Sequence, residues 1–421
     1  MAVVGGIIGS GIFLNPSIVA QRVPLRLVAP VWALGGLIAL IGAFCYAELG
    51  HRRPRAGGGY VYLREAYGAL PAFLYGWALL LVMATGACAA VAVTFARYTA
   101  ALLGLGAGTV VPMAIGAIAL LSLINYVGVG PGAATQNLFT VLKLGALAAL
   151  IVCGLFLPVR EAAPLDVAQV TVAAWKLPLA VGTALVPILF AYGGWQQTNF
   201  IAEEIVDAER TLPRSLVIGT TIVVVAYVSA NLAYLRVLGA GLAGNAAPAA
   251  DVMSATLGPW GRRLISLGIA CSTFGFLNLV ILVSPRVYQA MAADGVFLPA
   301  LARLHPRFRT PGTAILGQGG WAILLTLSGT YAQLLDYVVF GDWIFFGLTA
   351  ASLFVFRRRH GPPERHRVPL YPVAPALFVL AALYVVASSV ASNPKNALLG
   401  VLLLLAGVPV YLYWSRRRVS A

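Results

Sequence analysis

The chain has 421 residues, 60% of them hydrophobic and only 10% charged, and its mean hydropathy is +0.90. Soluble proteins carry about 25% charged residues, so the composition excludes a soluble globular protein and points to an integral, polytopic membrane protein. The net charge of +15 is spread over short loops between apolar runs, where topology and the anionic membrane surface explain it; membrane lipids are expected partners and nucleic acid is not.

Crossing a hydrocarbon core of about 30 Å takes about 20 apolar residues per helix. On that ruler twelve segments are predicted, at 1–20, 28–50, 72–102, 108–127, 134–157, 178–206, 213–238, 263–291, 313–329, 333–356, 371–392 and 396–414. The start has no basic leader and no small-residue cleavage site, so no signal peptide is expected. The first segment is short ahead of Ser10, which predicts a true start upstream of Met1.

Placing the start in the cytoplasm puts 18 of the 28 Lys and Arg residues in inner loops and tail. Examples are Arg52, Arg53, Arg55, Arg210, Arg286, Arg357 to Arg359 and Arg416 to Arg418, against Arg22, Arg26, Arg160 and Lys176 outside. The positive-inside rule then places both termini in the cytoplasm. The preference for arginine over lysine reads as genome composition and fits a bacterial inner membrane.

Cys45, Cys88, Cys153 and Cys271 fall inside apolar stretches without CxxC or His spacing and read as small hydrophobes, neither disulfides nor metal ligands. His51, His305, His360 and His366 lie in predicted inner loops without metal spacing. A membrane-bound enzyme would need paired acids, a histidine cluster or a nucleophile with its base at membrane depth. Neither an enzyme nor a cofactor or metal is therefore expected.

Two stretches break the helical pattern. Gly5-Gly6-Ile7-Ile8-Gly9-Ser10-Gly11-Ile12-Phe13 packs four glycines into an apolar run, with Pro16 close behind. Glycine costs about 1 kcal/mol against alanine in a helix interior, and bare backbone at membrane depth is tolerated only where it is buried or lines a cavity. The sixth segment carries the second break, Phe190-Ala191-Tyr192-Gly193-Gly194-Trp195. Breaks in segments one and six, five helices apart, point to an inverted-repeat transporter with its substrate at the repeat interface. The repeats are expected at 1–157 and 178–356, with 371–414 as an addition to a single transmembrane domain. The competing reading makes both clusters small-xxx-small packing faces; their matched positions favour the site.

These residues resemble the amino acid–polyamine–organocation superfamily, and within it the L-type amino acid transporters. Gly6 to Phe13 looks like the family's first-helix signature. Tyr46-Ala47-Glu48-Leu49-Gly50 with Gly57-Gly58-Gly59-Tyr60 through Gly68 is similar to its next block. The most specific part is Phe190 to Trp195 with Asn199-Phe200, Glu203-Glu204 and Glu209-Arg210-Thr211-Leu212-Pro213-Arg214. Asn231 to Tyr234, Pro299, His305-Pro306 and Thr310-Pro311 also match in order. The resemblance implies an all-α polytopic fold with a LeuT-like 5+5 inverted repeat, twelve transmembrane helices, and helices 1 and 6 discontinuous. Animal members join a glycoprotein heavy chain through a cysteine between helices 3 and 4. The loop Leu103 to Pro112 has none, so no disulfide-linked heavy chain is expected.

A zwitterionic amino acid needs partners for a carboxylate and an ammonium, and a helix break supplies both through free N–H and C=O groups. The amides of Ser10, Gly11 and Ile12, with the Ser10 hydroxyl, are expected to take the carboxylate. Carbonyls near Ile7, Ile8, Phe190 and Ala191 are expected to take the ammonium, with Gly9 and Gly193 shaping the breaks. The resemblance implies Phe190 as an aromatic lid. Apart from Lys143, charge is missing near the centres of helices 1, 3, 6, 8 and 10; Asp336 and Asp342 are placed near the outer part of helix 10. Cationic substrates want a carboxylate and anionic ones an arginine, so neutral L-amino acids are expected.

Lys143 lies deep in the fifth segment, too far in to snorkel easily. The resemblance implies a cation there in place of the sodium of structural relatives, holding helix 1 against helix 8; a buried lysine can also cycle a proton. Tyr234 and Asn278 are candidates for a gate or for inter-helix hydrogen bonds. The loop Arg52 to Tyr67 reads as an amphipathic connector at headgroup level, and the resemblance implies a gating role as the alternative. Glu203, Glu204 and Arg210 read as an ion-pair gate or as solvated helix-end charges. The expected function is a permease or exchanger of neutral L-amino acids across the plasma membrane. The alternatives are a proton-coupled symporter of broader specificity, including cationic amino acids, or an amino acid sensor.

Overall fold

The structure, a computed structural model, describes residues 1–159, 170–328 and 331–419, with side chains undescribed at 331–337, 339, 392 and 417–419. Arg160, the side chain of Asp336 and those of Arg417 and Arg418 therefore lie outside the described residues.

The first segment is two helices, α1 (Ala2–Ile7) and α2 (Gly11–Ala20). α3 (Leu25–Arg52) and the short α4 (Gly59–Tyr67) follow, and α5 (Ala69–Ala78) runs through a π-helical turn at Leu79–Met83 into α6 (Ala84–Leu103). Next come α7 (Val110–Val127), α8 (Val129–Phe156) and α9 (Leu177–Tyr192), which stops at Gly193 and continues as a 3-10 stretch, Trp195–Glu204. The chain goes on through α10 (Ala208–Leu238), α11 (Pro248–Leu257), α12 (Pro259–Val283), α13 (Pro285–Ala293) and α14 (Gly312–Leu327). It ends with α15 (Tyr331–His360), α16 (Val373–Ser392) and α17 (Pro394–Val419).

Among the described residues ten stretches are long and apolar enough to cross a membrane, and α2 and α14 are shorter apolar helices. The first predicted segment falls short because it is broken. The ninth, at 16 residues, reaches about 24 Å. The sixth, predicted as a run over 178–206, is α-helical only to Tyr192, and the eighth is divided between α12 and α13 at Pro285. α11 falls where a loop was expected; Pro248 opens it and Gly258, at φ +68°, closes it, a Pro-first, Gly-last pattern the sequence displays.

Three helix prolines share one local solution. A proline inside a helix has no N–H, so the carbonyl four residues earlier loses its partner, and each of these carbonyls takes a donor from elsewhere in the bundle. Pro16 frees the Ile12 carbonyl, which accepts from the Tyr234 hydroxyl at 3.1 Å. Pro187 frees that of Thr183, which accepts from Arg22. Pro213 frees that of Glu209, which takes His51 Nδ1 at 2.9 Å.

Predicted inner loops meet at one end of the bundle. Fully buried Glu48 accepts from Arg52, from Arg357 at 2.9 and 2.5 Å, and from the Val368 amide at 2.8 Å. Arg53 pairs with Glu65 at 2.5 Å, Arg64 with Asp294, and Arg286 with Glu204 at 2.8 Å. Within the connector 52–67 the expected amphipathic face packs on protein: Tyr60, Tyr62 and Leu63 are fully buried, the Gly57 amide donates to the Phe200 carbonyl at 3.0 Å, and Tyr62 donates to Asn199 at 3.2 Å. An apolar face on α4 suits protein as well as lipid, so pattern alone does not say which one covers it. The predicted Glu203–Glu204–Arg210 gate is also divided, because Glu204 pairs with Arg286 and Arg210 stands 4.0 Å from Asp207.

Candidate functional site

The first break spans Ile8 to Ser10, with Ile8 extended at φ −75° and ψ 96°. Ending α1 at Ile7 strands its last carbonyls, and three side chains supply the missing donors. Lys143 Nζ, fully buried on α8, donates to the carbonyls of Gly5 at 2.9 Å and Ile8 at 2.7 Å. Its neighbours Val141 and Leu142 face outward, so the helix turns its one cation inward and its apolar residues toward lipid. Tyr227 donates to the Ile7 carbonyl at 3.2 Å, and the Ser272 hydroxyl is shared between those of Ile8 and Gly9 at 3.2 Å. On α12 a Cβ at Gly275 would sit 3.3 Å from Lys143 Cε, so Lys143 bridges the first segment and the eighth.

The second break needs less outside help. Gly194 takes φ +111°, a conformation that favours glycine, and its amide donates to Gln196 at 3.0 Å. A Cβ on Gly194 would collide with the Gly6 carbonyl, and one on Gly11 would come within 2.7 Å of Ala191 Cβ. The glycine clusters are thus also the faces on which the two broken helices touch. Asn15 ties α2 to α9 with a 2.7 Å hydrogen bond to the Pro187 carbonyl.

Between the breaks and α5, α6, α12 and α15 lies a cavity of about 50 Å³. Its wall includes Ile7, Gly9, Ser10 and Gly11 from the first break and Phe190, Ala191 and Gly193 from the second. α2 begins here, so its first amides have no intrahelical acceptor. Aromatic rings pack beside the cavity: Phe346, in the wall, stands 5.4 Å from Trp195, and Tyr46 stands 4.8 Å from Trp195.

Several expected residues are elsewhere. Ile8 and Ile12 are fully buried and outside the wall. A carbonyl has two lone pairs; that of Ile8 already faces Lys143 and Ser272, so it is a scaffold acceptor and not a ligand for an ammonium. The Ile12 carbonyl belongs to Tyr234, which makes an inter-helix bond away from the cavity. Asn278 joins α12 to α7 and α8, accepting from Asn125 at 2.9 Å and donating to the Gly132 carbonyl at 3.0 Å.

Other wall residues escaped the sequence, among them Tyr75, Phe276, Gln196, Gln197 and Trp343. Asp342, expected near the outer part of its helix, stands in the cavity wall. α15 starts at Tyr331, so Asp342 is about 16 Å along it at 1.5 Å per residue, which is membrane depth. A lone acid between Phe340 and Trp343 was the available signal.

A bundle of spanning helices, broken in the middle of its first member beside a buried cavity, is the architecture of a polytopic membrane carrier. The family model for amino acid permeases matches residues 1–410, and the chain belongs to that family. Similar proteins include the serine/threonine exchanger SteT of Bacillus subtilis, 34% identical over 99% of this chain and 95% of the relative. The human b(0,+)-type amino acid transporter 1 is 34% identical over 97% of this chain and 85% of its own length. The human cystine/glutamate transporter is 31% identical over 99% and 84%. Members of this family are transporters, not enzymes, so the protein is a multi-pass amino acid transporter.

Proposed function

We propose that the protein is a secondary active exchanger of neutral L-amino acids, working by alternating access across a bacterial inner membrane with both termini cytoplasmic and without a disulfide-linked heavy chain. One observation carries this reading: the start of α2, with Ser10 and Gly11, lies in the wall of a cavity otherwise dominated by apolar and aromatic groups. Helix-start amides bind a carboxylate without a fixed charge, and the remaining Ile7 lone pair with the Ala191 carbonyl serves the ammonium. Phe190 is the lid, and Lys143 couples the break to α8 and α12. The two breaks belong to repeats at 1–157 and 178–356. The similarity to a serine/threonine exchanger supports small neutral substrates.

The test is uptake of labelled serine, threonine and leucine into proteoliposomes with and without internal amino acid. Trans-stimulated uptake is expected. Uptake driven only by a pH gradient would replace exchange with proton symport, and binding without flux would make the protein a sensor.

A further inference from the structure

Asp342 has no part in the recognition just described. It sits on α15, which packs chiefly against α16, α6 and α4, so the cavity separates it from the broken first helix. The other half-buried or buried acids with described side chains each hold an arginine: Glu48 with Arg52 and Arg357, Glu65 with Arg53, Asp251 with Arg262, and Asp294 with Arg64. Asp342 differs. Among the described residues no donor or cation reaches its carboxylate, and the cavity wall holds no Lys, Arg or His. Leu79, Met83, Val338 and Phe346 surround the space it faces.

An unpaired carboxylate at membrane depth is costly, and intramembrane acids as a rule mark a substrate or ion pathway. A fixed acid that the protein leaves without a counter-charge, in the wall of a solute cavity, is satisfied by a positive charge arriving with the solute. We propose that Asp342 is the side-chain selectivity residue of this transporter, pairing with the ammonium or guanidinium of a cationic amino acid whose α-carboxylate rests on the start of α2. The proposal rests on reading the cavity as the transport site, and it extends the substrate class from neutral to neutral and cationic amino acids. The same carboxylate repels the side chains of glutamate and aspartate.

The experiment compares lysine, arginine, threonine and glutamate as competitors and as internal exchange partners in proteoliposomes, for the wild type and for Asp342→Asn and Asp342→Glu. Wild type is expected to exchange lysine as well as threonine and to ignore glutamate. Asp342→Asn is expected to lower the lysine-to-threonine ratio by about tenfold or more, the scale of one charge-assisted hydrogen bond, whereas Asp342→Glu retains most of it. Lysine binding to wild type in detergent, read as a rise in Tm, gives a second measurement should the asparagine variant misfold. The proposal is overturned if wild type exchanges threonine but neither exchanges nor binds lysine, or if the ratio is unchanged in Asp342→Asn. It is also overturned if Asp342→Asn loses only proton dependence, which makes Asp342 a proton site. Absence of exchange with every amino acid would overturn the transport reading of the cavity as well.

Discussion

The two helix breaks look alike in sequence and are held in different ways. The second is largely self-contained: Gly194 supplies the left-handed turn and Gln196, two residues on, caps its amide. The first has no cap of its own. Its stranded carbonyls are held by Lys143 from α8, Tyr227 from α10 and Ser272 from α12, so three helices distant in sequence fix the shape of one short stretch. A break held from outside moves when its holders move, whereas a self-capped break travels as a unit. The shape of the first break therefore depends on its neighbours, whereas the second carries its cap with it.

Substitutions can break this contrast, and Lys143→Ala has the largest expected effect. It leaves the Gly5 carbonyl unsatisfied and the Ile8 carbonyl dependent on a shared hydroxyl, at about 1–3 kcal/mol for an abandoned buried acceptor. Uptake is expected to be abolished while the protein stays monodisperse on size exclusion; near-normal uptake would sink the assignment. Gly194→Ala comes next, because it combines a collision with the Gly6 carbonyl and a left-handed backbone that costs about 1–2 kcal/mol for a residue with a Cβ. Strong loss of transport and a lowered Tm are expected, and a silent variant would mean the breaks do not rely on touching. Ser272→Ala removes one neutral donor worth about 1 kcal/mol, for a severalfold fall in exchange rate. Gln196→Ala should be the mildest, since water in the adjoining cavity can replace its oxygen. If Gln196→Ala proves worse than Ser272→Ala in the same exchange assay, the contrast between the breaks is reversed.

Much of this was legible in the sequence, and the limits are instructive. Glycine clusters at Gly9 to Gly11 and Gly193-Gly194 announce broken helices because no other residue makes bare backbone so cheaply. Lys143 announces itself because a cation deep in an apolar run must find partners. The identity of those partners was not legible: Tyr227 and Ser272 are ordinary residues on distant helices, and only packing aims them at a stranded carbonyl. Hidden for the same reason were the loss of the Ile8 carbonyl to the scaffold and the burial of α4. Asp342 was visible as an acid, but its place in the cavity wall was not, because only packing brings α15 beside the two breaks.

The three helix prolines carry a consequence for how the chain tolerates change. Each has turned a carbonyl that would serve its own helix into an attachment point for a particular foreign side chain, so proline and donor form a pair whose members depend on each other. Restoring the helical N–H with Pro16→Ala makes the Tyr234 hydroxyl redundant, and Tyr234→Phe should then cost less than it does in the wild-type background. Tolerance at one member of such a pair is set by the residue at the other, for Pro187 with Arg22 and Pro213 with His51 as much as for Pro16 with Tyr234.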